Sequence, residues 1–155
     1  DLSLVSGVDP ASWVIDTDDT IREADQSEKD AIDLTRVDEL RSAKYAGFDA
    51  RTSELICQGY TYNGDTFSGS SSHQANINGL VTAHSVGVLT AGSYPLKIST
   101  KDGGESSIPD AATLLALAGT MLATFKAHQD SGRALRLQVG TLTTKAAIDA
   151  VEDNR

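Results

Sequence analysis

Ser68 and Ser70 to Ser72 run into His73, and a serine beside a histidine is the pair that acyl transfer uses. There the imidazole takes the hydroxyl proton and a carboxylate orients the ring. Adjacent positions in sequence do not place the ring on the hydroxyl, and no buried carboxylate is evident to orient it. The simpler expectation is that Ser70, Ser71 or Ser72 caps a short helix through Gln74, Asn76, Ile77, Leu80 and Val81. Asp16-Thr17-Asp18-Asp19 opens like a calcium loop. Its sixth and twelfth positions, where such a loop needs Gly and a bidentate Glu, hold Ile21 and Ser27. His73, His84 and His128 lie in separate elements with no His, Cys or carboxylate at ligand spacing. The lone Cys57 excludes an intrachain disulfide and a multi-thiolate metal site, and after Leu55 and Ile56 it is expected as a buried thiol. No GxSxG, phosphate loop or CxxC occurs. The residues predict no catalytic group, no cofactor and no metal.

The elements that carry these residues read as an α+β protein. An extended arm with short strands covers 1–26, a long charged helix 27–53, and a small domain of two β-hairpins packed against helices 54–155. In the arm, Pro10 and the Asp/Thr cluster rule out a long helix, while Trp13, Val14, Ile15 and Ile21 supply short apolar patches. Asp25-Gln26-Ser27-Glu28 has the form of a capping box, so a helix runs on to about Arg51. Along it Leu34, Val37, Tyr45 and Phe48 fall on one side, with Leu40 beside them. This stripe is narrow and contains Arg41. It suits packing against another helix, a copy of itself included, and equally a place in the monomer core.

The stretch GYTYNGDTFSGSSSHQANINGL, residues 59–80, centres on Asn63-Gly64, the preferred pair for a type I′ hairpin turn because both positions need positive φ. Strands of about 54–62 and 65–68 are expected around it. A second hairpin spans Tyr94 to Ile108, with Leu96 and Ile98 alternating with polar residues and Asp102-Gly103-Gly104 as the turn. Pro109 and Asp110 then start a helix whose Leu114, Leu117, Ala118, Met121, Leu122 and Phe125 form a broad face to cover a small sheet. It continues to about Val139 through a weak point at Asp130-Ser131-Gly132, and Gly140 closes it. Thr143 or Thr144 caps a last helix ending near Val151.

Net charge of −9 on 155 residues is unevenly placed, with fourteen acids against six bases before Cys57 and near balance after it. An acidic front and the lack of a Lys/Arg groove interleaved with aromatics argue against nucleic acid as a partner. No apolar run approaches the ~20 residues that cross a bilayer, so no membrane partner is expected. The absence of an initiator Met at Asp1 suggests the end of a longer polypeptide.

Arg41-Ser-Ala-Lys44, Gly59-Tyr60, Phe67, Gln74, Asn76-Ile77 and Gly79-Leu80, followed by a hairpin and the helix 110–128, resemble a domain of unknown function found near the C-terminal ends of bacteriophage tail and tail-fibre proteins. Trp13-Val-Ile-Asp, Ile21-Arg-Glu-Ala-Asp and Glu28-Lys29 are similar to the strand-and-cap segment that often precedes it. Where the family's second hairpin carries Trp, this chain has Tyr94 and Leu96. The resemblance, over 12 to about 151, brings no catalytic residues. It implies a virion structural protein of tail, baseplate or fibre, assembled in the host cytoplasm, with other virion tail proteins as partners. A helix of that length with so narrow an apolar stripe needs a partner, so a homo-oligomer is expected through the long helix and the arm before it, and the resemblance makes a trimer the first expectation. Leu34, Val37, Leu40, Tyr45, Phe48 and Trp13 are the interface candidates. Host-receptor binding, with Tyr60, Tyr62 and Trp13 stacking on sugar rings, is the alternative role; a cell-wall hydrolase built on paired carboxylates is a third.

Overall fold

The computed structural model describes residues 13–17 and 21–155. The arm expected over 1–26 therefore lies partly outside the described residues. What is described of it is a small antiparallel hairpin of β1 (Trp13–Ile15) and β2 (Ile21–Glu23), in which Trp13 pairs with Glu23 and Ile15 with Ile21. Helix α1 (Gln26–Gln58) follows. Its start is the expected box: the Glu28 N–H donates to the Asp25 carboxylate at 2.9 Å and the Asp25 N–H donates to that of Glu28 at 2.8 Å.

The α+β class holds, with three two-stranded antiparallel sheets among long helices. Strands β3 (Tyr60–Tyr62) and β4 (Asp65–Phe67) flank Asn63 and Gly64, whose φ values of 51° and 90° are those the tight turn requires. Helix α2 (Ser71–Ser85) is capped by Ser70. Strands β5 (Leu96–Ser99) and β6 (Glu105–Ile108) form the second hairpin; then come α3 (Ala111–Gly140), with the Asp110 carboxylate accepting from the Thr113 N–H at 2.8 Å, and α4 (Lys145–Asp149), capped by Thr144.

The contacts divide the chain into two units: the residues before Ala46 together with Gln138–Arg155, and Ala46–Leu137. In the second unit the core is Tyr60, Phe67, Ile77, Ile98, Ile108, Leu114, Leu117, Ala118, Met121 and Phe125. Period-2 alternation turns Ile98 and Ile108 inward, and the i, i+3, i+4, i+7 spacing of Leu114, Leu117, Ala118 and Met121 gives α3 its inner face. Each large side chain so buried contributes about 1.5–3 kcal/mol. Tyr60 and Phe67, directly opposite in register, stack at 5.4 Å, and Phe125 meets Tyr60 edge-on at 5.9 Å.

In the first unit Ala24, Val37, Val139, Ile148 and Val151 are buried. Arg41 and Lys44 hold the C-terminal turns: Arg41 donates to the Leu142 carbonyl at 2.6 Å, and Lys44 to those of Val151 and Asp149 at 2.7 and 3.2 Å. Asp149 ends α4, where the last carbonyls of a helix have no partner within it, and Leu142 and Val151 lie in the segments that flank α4.

Three expectations are corrected. Residues 54–58 are not strand, because the period of seven from Phe48 to Leu55 keeps the helix going until Gly59, at φ 95°, ends it. Cys57 is exposed, not buried, since helical geometry turns it away from the face of buried Leu55. Leu122, expected to cover the sheet, is 58% exposed. The expected weak point in α3 is traversed without a break: the Ser131 hydroxyl donates to the His128 carbonyl at 2.9 Å and Gly132 is buried.

Candidate functional site

Ser70 accepts the backbone N–H of His73 at 3.3 Å, which fixes the serine as a helix cap and leaves the imidazole elsewhere. His73 Nε2 lies 3.3 Å from the Tyr60 hydroxyl. Burial raises the Tyr60 phenol to about 12 and lowers the His73 imidazole, so both groups are held neutral around pH 7. No serine takes part in that pair, and no nucleophile is activated by it. His84 sits in the last turn of α2 and His128 on α3. No three His, Cys, Asp or Glu side chains among the described residues are placed to hold a metal ion.

Asp16 accepts from its neighbour's N–H and from Arg22, which hold its carboxyl below the usual range. Asp18 and Asp19, the rest of the calcium-like opening, lie outside the described residues. Arg22 also makes a two-pronged contact with Glu28, at 2.7 Å to each oxygen. That contact, with the Asp25 N–H, draws the Glu28 carboxyl down to about 2. The arm hairpin is thus tied to the capping box of α1.

In the second unit the turns of the two hairpins meet. The Lys101 N–H donates to the Thr66 carbonyl at 2.8 Å, and the Lys101 ammonium to the Gln58 carbonyl at 2.6 Å. Between them opens a polar cleft of about 510 Å³ whose lining includes Asp65, Thr66, Thr100, Asp102 and Glu105. The Thr100 hydroxyl, then the Gly104 N–H, pull the Asp102 carboxyl below its ordinary value. This favours a fixed acceptor and opposes the raised carboxyl that a glycosidase acid requires. A second depression, about 670 Å³, lies beside α3 and is lined by Gln74, Leu122, Phe125, Lys126, Gln129 and others.

The interface candidates separate. Val37 and Phe48 are 8% and 3% exposed, in the first and second units respectively. Leu40, Tyr45 and Trp13 are half-buried, and Leu34 is 63% exposed. The stripe on α1 is therefore largely used inside the chain, where Arg41 and Lys44 explain its polar interruption. Of the three aromatics considered for sugar stacking, Tyr60 is buried and Tyr62 and Trp13 are half-buried. Sequence reasoning missed the exposed leucines Leu115, Leu122 and Leu137, all on α3. Their spacing of seven between Leu115 and Leu122 was available as a signal.

A family model described as a domain of unknown function, DUF4376, matches residues 39–152. The chain belongs to this family. The DUF4376 match begins inside α1 and takes in both hairpins of the second unit, α2, α3 and α4, while β1, β2 and the first turns of α1 precede it. No curated protein and no solved structure matches the chain.

Proposed function

We propose that this chain is a structural component of a bacteriophage virion, in the tail, baseplate or tail fibre. It acts through assembly contacts with further copies of itself and with other tail proteins, performs no catalysis, and is assembled in the host cytoplasm. The reading starts from the sequence resemblance. One structural observation supports it: ordered elements hold large apolar side chains in solvent, with Ile15 opposite Ile21 on the arm hairpin, Leu34 on α1, and Leu115, Leu122 and Leu137 on α3. Apolar surface presented by regular structure marks protein contacts. Mass spectrometry of particles purified from the encoding phage tests it. The chain is expected in stoichiometric amount with other tail proteins, and its absence from purified particles overturns the role.

Host-receptor binding is the second reading, favoured by the cleft at the hairpin turns. Its carboxylates and threonine hydroxyls suit a hydroxyl-rich ligand such as a surface glycan. Binding to a glycan array, lost on Asp102→Ala and Glu105→Ala together, supports it; no signal on the array removes it.

A further inference from the structure

We propose that the outer face of α3 is the surface through which copies of this chain associate, with their α3 helices parallel around a three-fold axis. This rests on the assembly reading above and names its surface and its occupant, further copies of the same chain.

At about 100° per residue, Ala112, Leu115, Ala116, Gly119, Leu122 and Ala123 fall within about 60° on either side of Gly119. All six are exposed, Leu115 at 46% and Leu122 at 58%. Leu114, Leu117 and Met121 occupy the opposite, buried side. No charged residue occurs from Ala111 to Phe125, whereas a solvent face of a helix is ordinarily polar. The stripe continues through Lys126, Asp130 and Arg133 to Leu137, which is 67% exposed. The three large apolar side chains that α3 exposes thus share one line.

Charge favours a copy as the occupant. The net negative charge lies almost wholly before Cys57, and this face brings no charge at all over fifteen residues, so copies that meet on it set no carboxylate against carboxylate. At its lower end Lys126 and Asp130 lie on opposite flanks and pair along the helix. Parallel packing puts Lys126 of one copy beside Asp130 of the next, one turn apart.

Shape sets the arrangement. Leu115 and Leu122 lie on one flank, Ala116 and Ala123 on the other. Rotation about an axis along α3 lays the leucine flank of each copy on the alanine flank of its neighbour, at heights that match within about one 1.5 Å residue rise. An antiparallel pair instead sets leucine on leucine and alanine on alanine, which leaves the alanine side open. Gly119 faces the axis, with open space where a Cβ would stand, so the helices approach to near the ~8 Å end of the packing range. One such contact buries on the order of 400 Å² per copy, about half of what a stable interface uses. A three-fold ring gives every copy two contacts and closes with none left over.

Sedimentation velocity of the full chain between about 5 and 500 µM tests this. Wild type is expected to form a trimer, and Leu122→Glu to raise the midpoint concentration at least tenfold. Val88→Glu, at a comparably exposed apolar site after α2, leaves the midpoint within twofold. Circular dichroism melting separates loss of contact from loss of fold. Should Leu122→Glu melt early, Gly119→Cys in a Cys57→Ser background carries the test: mild oxidation links copies covalently, whereas Gly79→Cys on the exposed side of α2 links few. Wild type that remains monomeric or stops at a dimer, a midpoint that Leu122→Glu leaves unchanged, or equal crosslinking from Gly79→Cys overturns the proposal. The tail role is decided separately, by the presence of the chain in purified particles.

Discussion

Gly69→Ala is the smallest change expected to destabilise the second unit strongly. A Cβ at Gly69 stands 1.6 Å from the carbonyl oxygen of Ile56 and 2.6 Å from its carbon. Carbon–oxygen contacts begin near ~3.3 Å, so main chain must separate by more than about 1.5 Å. Neither side can yield cheaply. The Ile56 carbonyl accepts the Gly59 N–H at 3.0 Å, and the Gly69 carbonyl accepts from Gln74 at 2.7 Å. Separation also draws Phe67, 0% exposed, out of its stack with Tyr60. Overpacking a core whose side chains can move costs about 1–3 kcal/mol, and against fixed main chain the loss belongs at about 3 kcal/mol or above. For a chain of this length that is a fall in Tm of roughly 10 °C. Thermal and urea melts by circular dichroism measure it. Gly79→Ala is the control: Gly79 is inside α2 with nothing near its missing Cβ, so alanine there gains about 0.5–1 kcal/mol. A Gly69→Ala melt that coincides with wild type refutes the close approach as a determinant of the fold.

Gly64→Val meets no neighbour but must adopt φ near 90°, so it costs about 1 kcal/mol or more in the same melts; an unchanged midpoint contradicts the turn geometry. The Tyr60–His73 pair gives stability a pH dependence with two limbs. Folding retains the phenol proton up to about 12, so the contribution of Tyr60 is complete below ~10 and is lost as pH rises through 12. The His73 pKa is depressed, so its neutral form contributes above ~6.5 and is penalised as pH falls below it. Urea midpoints should form a plateau between those limits, and His73→Phe should remove the acid limb that belongs to this residue; its persistence undamped counts against the assignment. EDTA should leave Tm and oligomeric state unaltered, and a fall of several degrees restored by Ca²⁺ or Zn²⁺ contradicts the reading of Asp16, Asp18 and the histidines.

Local chemistry made much of the fold legible. Asp25 and Glu28, Ser70, Asn63-Gly64 and Thr144 each act on backbone within four residues of themselves, so their spacing alone predicts caps and turns. Helix α1 was harder, because Leu55 and Ile56 read as strand until Gly59 is recognised as a helix terminator and the seven-residue step from Phe48 is followed through. Lys44 meets Asp149 and Val151, more than a hundred residues away, and no periodicity reports that. On α3 the inner face was legible and the outer face was not. Apolar residues on both sides of a helix blur the one-sided pattern that marks burial, so the pattern alone puts Leu122 on the wrong side.

The uncharged run from Ala111 to Phe125 has a consequence before the fold exists. On a ribosome or after heating, this is the part of the chain least able to repel its own kind, with charge only at Asp110 before it and Lys126 after it as gatekeepers. Helix propensity is the protection, since alanine and leucine dominate the run and commit it to local hydrogen bonds before strand-to-strand association can begin. Yield on refolding is then a race between coiling and clumping, in which a proline at Ala116 hands the advantage to the aggregate.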